Sequence, residues 1–314
     1  MKSAPPRERE SKRPSATAVP MRGIPHHPKP ISAATRLTAI FGDPVGHSLS
    51  PAMHNAAYAA MGIDRRYVAF HVRPPELLAA LRAVPALGIL GVNLTVPHKE
   101  AALRAVDKVS AEGRLLGAIN CVVNRRGTLV GDNTDARGLE RDLRAHRVQA
   151  AGDTVIVVGA GGAAAAAVLA MIRMKAARII IVNRTRPRAR ALMERFSRVP
   201  SRRTRIEAAD LAALANSTFL TDSACVINAT SMGLTTRRFA PIDYGSTPQD
   251  CFFYDMLYSR TPTPFLAGAA RSRRKCADGA GMLVEQGELA FKLFNGVPPP
   301  PGVMRKALDA ALGR

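Results

Sequence analysis

The sequence of 314 residues contains no tryptophan, and aromatic residues make up only 5% of it. A core must therefore be built mainly from Ala, Val, Leu, Ile and Met, and the hydrophobic fraction of 47% is ordinary for a globular protein. The longest apolar run covers about residues 163–172, half of the ~20 residues that a membrane-spanning helix needs. No apolar stretch near the N-terminus is typical of a secretory signal. We expect a cytoplasmic protein of about two domains that has no membrane partner.

Cysteine is also scarce, and no C-x-x-C pair occurs. This pattern favours reduced thiols over disulfides, and we expect no metal site. His47, His54 and His98 lie in different predicted elements without the i, i+4 spacing of a ligand pair, which favours roles other than metal binding. The four cysteines are Cys121, Cys225, Cys251 and Cys276.

Acidic residues are few relative to basic ones, with 24 Asp and Glu against 45 Lys and Arg, so the net charge is +21. Such a charge fits either a nucleic-acid or membrane partner or an Arg-rich protein that handles acidic small molecules. The basic residues form short clusters with little aromatic interleaving, so no platform for stacking bases is evident. We therefore favour solvated surface charge over nucleic-acid binding.

Residues 1–35 are rich in Pro, Arg, Lys and Ser and show no periodicity, which predicts a disordered basic tail. From residue 36 onward, short apolar runs alternate with amphipathic segments, which predicts an α/β fold with a parallel sheet covered on both faces by helices. Ser50 is expected to cap a helix that starts at Pro51, and Arg125-Arg126-Gly127 is expected to join a hairpin. Strands are predicted at 37–41, 67–70, 89–95, 118–124, 128–130, 154–158, 178–182, 225–229 and 252–255, and helices at 51–61, 75–84, 99–106, 135–146, from the glycine turn to about 175, 281–295 and 303–312.

A glycine-rich turn connects the β-branched run at 154–158 to an Ala-rich helix, and it reads Gly159-Ala160-Gly161-Gly162-Ala163-Ala164. The pattern G-x-G-x-x-A between a strand and a helix is typical of a Rossmann-type dinucleotide-binding domain. Gly159 would permit the tight turn, Gly161 the close approach of a pyrophosphate, and Ala164 the close packing of helix on sheet. The free N–H groups and the dipole of the helix N-terminus favour the phosphates.

The strand that follows ends in Asn183-Arg184-Thr185-Arg186-Pro187-Arg188, without the acidic residue that would hold the 2′-hydroxyl of NAD. Arg184 and Arg188 can bind a 2′-phosphate through charge-assisted hydrogen bonds, and Thr185 can add a hydroxyl. Arginine at a helix start opposes the helix dipole, which favours a bound anion there over a solvated basic surface. The sequence therefore predicts NADP(H) as the cofactor.

Four polar segments in the first half of the chain lie at predicted strand ends and turns, where ligands bind in open α/β sheets. They supply hydroxyls, amides, an ammonium and a carboxylate, a set that suits a small polyhydroxylated acid. Their residues are 47–51, 93–99, 117–120 and 131–135.

Together with the glycine turn, these segments closely resemble the shikimate dehydrogenase family, and the resemblance extends from residue 36 to the C-terminus. Nine motifs occur in the family's order. They are HSLSP (47–51), N-x-TVPHK (93–99), GAIN (117–120), GDNTD (131–135), VVGAGGAA (157–164), NRT (183–185), NATSMG (228–233), YDMLY (254–258) and DGAGMLVEQ (278–286). The resemblance implies reversible reduction of 3-dehydroshikimate to shikimate with NADPH, a step of chorismate and aromatic amino-acid biosynthesis.

The resemblance also implies roles for individual residues, with Lys99 transferring the proton and Asp135 acting as its partner. Taken alone, Lys99 would be a surface lysine at a helix start and Asp135 a helix cap. Reduction of a ketone needs a proton for the developing alkoxide, and a lysine ammonium can supply it. Implied substrate contacts are Ser48 and Ser50 for the carboxylate, Thr95, Asn120 and Gln286 for the hydroxyls and ketone, and Tyr258; implied neighbours of the nicotinamide are Met256 and Gly279.

Two domains follow from this interpretation: a catalytic, substrate-binding open α/β domain (36–134 plus 281–314) and an NADP-binding Rossmann domain (135–280), with the site in the cleft between them. One alternative is a relative that also uses quinate or NAD, although Ser48 and Ser50 favour shikimate. An alternative of another class is a non-catalytic ligand sensor or a basic nucleic-acid-binding module on the same scaffold, against which the retention of Lys99 and Asp135 argues. The oligomeric state is left open, with a homodimer as one option.

Overall fold

The computed structural model describes residues 29–199, 204–233 and 238–314. Residues 1–28 of the predicted tail lie outside this range. At the end of that tail, the Thr35 hydroxyl donates a hydrogen bond to Asp64 Oδ1 at 2.8 Å. Within the described part of the chain, no helix is both long enough and apolar enough to cross a membrane.

The first of two six-stranded sheets has the order β2-β1-β3-β5-β6-β4, and it is mixed. The reason is the predicted hairpin, which makes β5 antiparallel to both β3 and β6. Its two turn residues, Arg126 and Gly127, have φ of 53° and 93°, the left-handed conformation that tight hairpins need. The strands are β1 (Arg36–Gly42), β2 (Arg65–His71), β3 (Gly91–Leu94), β4 (Lys108–Val109), β5 (Cys121–Arg125) and β6 (Thr128–Asp132).

The second sheet is parallel throughout, with the order β12-β11-β10-β7-β8-β9. Successive strands run outward from β7 in one direction and then from β10 in the other, so the order reverses beside β7. Ligands bind at such a reversal in open α/β sheets, and the glycine turn follows β7 directly. The strands are β7 (Thr154–Val158), β8 (Arg178–Asn183), β9 (Arg205–Asp210), β10 (Ser223–Asn228), β11 (Phe252–Asp255) and β12 (Lys275–Asp278).

Helices cover both sheets, and the α/β fold predicted from the sequence is confirmed. The expected cap is wrong, because Leu49 occupies the N-cap position of the first helix and Ser50 is already helical. The helix predicted at 99–106 is a single α-turn followed by a 3-10 turn. The helices are α1 (Ser50–Ala60), α2 (Leu77–Ala86), α3 (His98–Ala101), α4 (Ala111–Leu116), α5 (Asp135–Ala145), α6 (Gly162–Arg173), α7 (Arg186–Ser197), α8 (Pro264–Arg271), α9 (Ala280–Asn295) and α10 (Val303–Leu312).

The chain passes between the sheets twice, through α5 and at the start of α9, and these two helices pack closely side by side. Glycines allow the approach: a Cβ atom added at Gly138 would lie 2.8 Å from the Cβ of Gln286, and one at Gly281 only 1.9 Å from Asp142 Oδ1. Asp142 in turn accepts a hydrogen bond of 2.6 Å from Tyr254 of β11. From there α9 returns to the first sheet, where Phe291 and Phe294 join its core.

Candidate active site

A cavity of about 360 Å³ lies between the two sheets. Most of its lining comes from the ends of β1, β3, β10 and β11, the residues that follow them, and the first two turns of α9. Asn120 before β5, Asp135 at the start of α5 and Ala163 at the start of α6 complete it. All eight residues predicted for catalysis and substrate binding contribute to its lining, although they come from distant parts of the sequence. They are Ser48, Ser50, Thr95, Lys99, Asn120, Asp135, Tyr258 and Gln286, and the predicted cofactor contacts Ala163, Met256 and Gly279 line the same cavity.

Lys99 and Asp135 form an ion pair, with 2.7 Å between Lys99 Nζ and Asp135 Oδ2. The Asp135 side chain is only 6% exposed, whereas that of Lys99 is 27% exposed and open to the cavity. Asn120 Nδ2 donates to the other carboxylate oxygen at 2.7 Å. Asp135 is the first residue of α5, where a negative charge is favoured by the helix dipole. The carboxylate is thus held on both oxygens and can fix the direction of the ammonium.

Asn120 connects this pair to the rest of the site. Its Oδ1 accepts a hydrogen bond from the backbone N–H of Thr134 at 2.8 Å, which fixes the orientation of the amide. Its Nδ2 also lies 3.4 Å from Gln286 Oε1, while Gln286 Nε2 donates to the carbonyl of Leu283 at 2.8 Å. One hydrogen-bonded group on the cavity wall therefore contains Asn120, just before β5, together with Asp135 of α5 and Gln286 of α9.

The two serines lie at the N-terminal end of α1. Ser48 Oγ accepts a hydrogen bond from the backbone N–H of Ser50 at 3.3 Å, and the first turn of the helix contains no acidic residue and no capping side chain. Pro51 has no N–H, and the N–H groups of Ser50 and Met53 are already bonded, so a carboxylate here would be favoured by the positive end of the helix dipole and by the serine hydroxyls. Burial raises the pKa of Tyr258, which also lines the cavity, so its phenol remains neutral.

The glycine turn has the geometry that a dinucleotide requires. Gly159 has φ of 124°, and a Cβ atom there would lie 2.9 Å from the carbonyl oxygen of Ala229. A Cβ atom at Gly161, in contrast, would meet no atom within 4 Å, so this position faces open space at the start of α6. No side chain caps α6, and Ala164 is fully buried against the sheet. The residues present therefore fit a pyrophosphate beside Gly161, Gly162 and the following N–H groups.

Beyond β8, Arg184, Thr185 and Arg188 are exposed around the start of α7, and Thr185 occupies its N-cap position. Asn183 Nδ2 donates to the carbonyl of Thr185 at 3.0 Å, which orders the turn. An acidic group nearby, Asp210, is already paired, with its carboxylate 3.2 Å from Arg186. Across the described residues, Arg184 and Arg188 have no carboxylate partner, so both guanidinium groups remain available to a phosphate.

Asn93 also lines the cavity, although the sequence assigned it no role. It accepts a hydrogen bond from the Tyr67 hydroxyl at 2.8 Å and donates one to the carbonyl of Asn120 at 3.0 Å. The only sequence signal was its position two residues before Thr95 in a polar segment. Thr230 and Ser231, from the segment after β10, line the cavity as well.

The histidines lie apart from one another. His54 is buried and stacked on Tyr67 at a centroid distance of 4.1 Å, and burial lowers its pKa to about 3. His98 is buried with its Nε2 2.7 Å from the carbonyl oxygen of Val72, and His47 lines the cavity. Over the ranges that the structure describes, no three His, Cys, Asp or Glu side chains cluster as metal ligands would.

Three family profiles match this chain in order. They are described as the substrate-binding domain of shikimate dehydrogenase (residues 40–122), shikimate/quinate 5-dehydrogenase (142–238) and the C-terminal domain of shikimate 5′-dehydrogenase (279–308). A protein of Geobacter metallireducens named shikimate dehydrogenase (NADP(+)) is 42% identical over 285 residues, covering 90% of this chain and 99% of the relative.

Solved structures agree with these matches. A shikimate dehydrogenase in complex with NADP+ superimposes with a TM-score of 0.82 at 31% identity, covering 90% of this chain and 98% of that one. Shikimate 5-dehydrogenase of Thermus thermophilus, in complex with NADP(H) and shikimate, gives a TM-score of 0.78 at 35% identity and covers 88% and 99% of the two chains. The chain therefore belongs to the shikimate dehydrogenase family.

Proposed function

We propose that this protein is an NADP-dependent oxidoreductase that catalyses the reversible reduction of 3-dehydroshikimate to shikimate, within chorismate biosynthesis. The observation that carries the proposal is the Lys99–Asp135 ion pair of 2.7 Å, which lies in one cavity with the serines at the start of α1. Relatives that match over nine-tenths of this chain are named shikimate dehydrogenase (NADP(+)).

The substrate carboxylate binds at Ser48 and Ser50, where the hydroxyls supply hydrogen bonds and the N-terminal end of α1 supplies positive potential. Thr95, Asn120 and Gln286 contact the ring hydroxyls and the ketone, and Tyr258 adds a further contact to the substrate. Because these residues bind the other groups of the substrate, the ammonium of Lys99 is left to contact the oxygen whose charge changes during the reaction.

Lys99 Nζ donates the proton to the alkoxide that develops during reduction, and in the oxidative direction it accepts the proton from the hydroxyl. Its positive charge also stabilises the alkoxide before the proton moves. Asp135 orients the ammonium, and because Asn120 holds its second oxygen, the pair keeps its direction when substrate enters. When bound, NADPH supplies the hydride.

Gly159, Ala160, Gly161, Gly162 and Ala163 would hold the pyrophosphate. Asn183, Arg184, Thr185 and Arg188 would hold the 2′-phosphate end, with Met256 and Gly279 beside the nicotinamide. The domain boundaries inferred from the sequence remain our assignment: residues 36–134 and 281–314 bind substrate and 135–280 bind the cofactor. The division of the strands between two sheets at residues 132 and 154 supports it.

We also propose that the enzyme works in the cytoplasm, that nucleic acid is not a partner, and that a homodimer is the oligomeric state to test first, by light scattering after size exclusion. The four free cysteines support the first of these proposals, because reduced thiols are typical of cytoplasmic proteins.

The test is reduction of NADP+ followed by absorbance of the reduced cofactor with shikimate, with quinate and NAD+ as parallel arms. We expect turnover with shikimate and NADP+ and a kcat/KM at least about tenfold lower when either component is exchanged. Equal rates with quinate would favour the relaxed enzyme. No turnover with either acid, together with a salt-sensitive shift of DNA or RNA, would favour the binding module.

A further inference from the structure

The helix α4 belongs to the first sheet's half of the molecule but is held by arginines of the other half. Arg195 of α7 donates a hydrogen bond from Nη1 to the carbonyl of Leu116, the last residue of α4, at 2.7 Å. The guanidinium also packs directly on Gly117, where an added Cβ atom would lie 2.7 Å from Nη1. A carbonyl at a helix C-terminus has no intrahelical donor, and a cation there is favoured by the dipole.

The other end of α4 is held in a similar way. Arg173, the last residue of α6, donates two hydrogen bonds to the carboxylate of Glu112 at 2.9 and 3.2 Å. Glu112 also lies 3.5 Å from Arg137 Nε. Because α4 has only six residues, it has little stability of its own, and its position depends on these contacts.

The segment that leaves α4, residues 117–120, contacts both members of the proton-transfer pair. The backbone N–H of Ile119 donates to the carbonyl of Lys99 at 2.8 Å, and Asn120 holds Asp135 through its side chain. Asn133 Nδ2 donates to the carbonyl of Ala118 at 2.9 Å, which fastens the segment to the turn before α5. A displacement of Gly117 would therefore move the backbone of Lys99 and the amide that fixes Asp135.

We propose that Arg195 is a positioning residue for the Lys99–Asp135 pair, acting through Leu116 and the segment 117–120 although it lies on a cofactor-side helix. The inference rests on the proposed function. Arg195 contacts Leu116 and Gly117 directly. We therefore expect its loss to act mainly on the substrate side of the cavity, with a smaller effect on the cofactor side through Ala118, which lies beside Gly162. The proposal predicts a change mainly in the kinetics with shikimate rather than in the KM for NADP+, although Arg195 lies on a helix of the cofactor side.

The experiment compares Arg195→Met, which keeps the aliphatic stem but no donor, with Arg195→Lys, which keeps one donor. Arg198→Met is the matched control, because Arg198 is exposed at the end of the same helix. We expect Arg195→Met to lower kcat or raise the KM for shikimate so that kcat/KM falls at least about fivefold, with the KM for NADP+ within about twofold of wild type. Arg195→Lys should recover to within about threefold of wild type, and Arg198→Met should be unchanged.

Hydrogen–deuterium exchange on the ligand-free proteins gives a readout independent of turnover. We expect the peptide containing residues 117–120 to exchange faster in Arg195→Met than in wild type. An active wild type with unchanged shikimate kinetics in Arg195→Met would overturn the positioning role, as would an equal rise in both KM values. An inactive wild type would overturn the proposed function instead. In that case the exchange measurement still tests the contact of Arg195 with Leu116 and Gly117, and equal exchange of the 117–120 peptide in Arg195→Met and wild type would overturn it. Should Arg195→Met not fold, a Lys variant more than about tenfold below wild type would refute the inference.

Discussion

Replacing Lys99 by methionine removes the ammonium that lies 2.7 Å from Asp135 while keeping a side chain of similar length. General acid–base catalysis by one group contributes roughly 10²–10⁴-fold to a rate, so we expect kcat to fall about 10³-fold, or about 4 kcal/mol of barrier. The KM for NADP+ should stay within about threefold, because the glycine turn and the arginines that follow β8 are untouched. The assay is initial-rate kinetics in both directions.

The same variant leaves the buried carboxylate of Asp135 without its cation. Asn120 still donates to one of its oxygens, so the loss of stability should be modest, about 1–3 kcal/mol. Adding Asp135→Asn should therefore restore part of the melting temperature while leaving kcat almost where the single variant put it, since the two residues act as a unit. Lys292→Met, at an exposed position of α9, is the control. A Lys99→Met enzyme within about tenfold of wild-type kcat would refute the assignment of the proton donor.

Three further outcomes are expected. Arg184→Ser should weaken NADP+ binding by about 10–100-fold, the loss of a charge-assisted contact, and leave NAD+ binding unchanged; equal losses in calorimetric titrations would contradict a 2′-phosphate role. Gly161→Leu should fold with a wild-type melting temperature but lose NADP+ binding, because its side chain would enter open space at the start of α6; retained binding would show that the pyrophosphate lies elsewhere. The pKa of His54 is lowered to about 3, so the stability that its neutral form contributes is complete above the unfolded value of 6.5 and is lost as pH falls toward 3. His54→Phe should remove this loss. The free energy of unfolding of the variant relative to wild type, measured with urea, should therefore rise by about 2 kcal/mol from about pH 7.5 to pH 5; parallel pH profiles of the two proteins would contradict this.

The sequence predicted best those features whose cause is local. The turn at Gly159 follows a β-branched strand and opens an Ala-rich helix, so its conformation is determined within a dozen residues. The hairpin at Arg126 and Gly127 was predicted for the same reason. The mixed character of the first sheet was not predicted, because it depends on the antiparallel pairing of β5 with β3, which are about thirty residues apart in the sequence.

Short elements held by distant contacts were missed. Arg173 and Arg195 hydrogen-bond to the two ends of the short helix α4, and the two-residue strand β4 pairs with β6. Asn93 was missed because its role needs Tyr67 beside it, a contact that no spacing reveals. A cap was predicted at Ser50 because the residue type suits a cap, and this prediction is wrong, since Leu49 occupies that position and Ser50 lies within the helix. The roles of Lys99 and Asp135 came from a family resemblance and remain predictions until the variants are measured.

The close packing of α5 on α9, which Gly138 and Gly281 allow, joins the two places where the chain crosses between the sheets. Asp135 begins α5 and Gln286 lies on α9, so both side chains belong to this one pair of packed helices. If one half of the molecule rotated about this pair of helices, the cavity would widen while the wall formed by α5 and α9 stayed in place. The carboxylate of Asp135 and the amide of Gln286 would then meet each incoming substrate in the same arrangement, however wide the cavity had become.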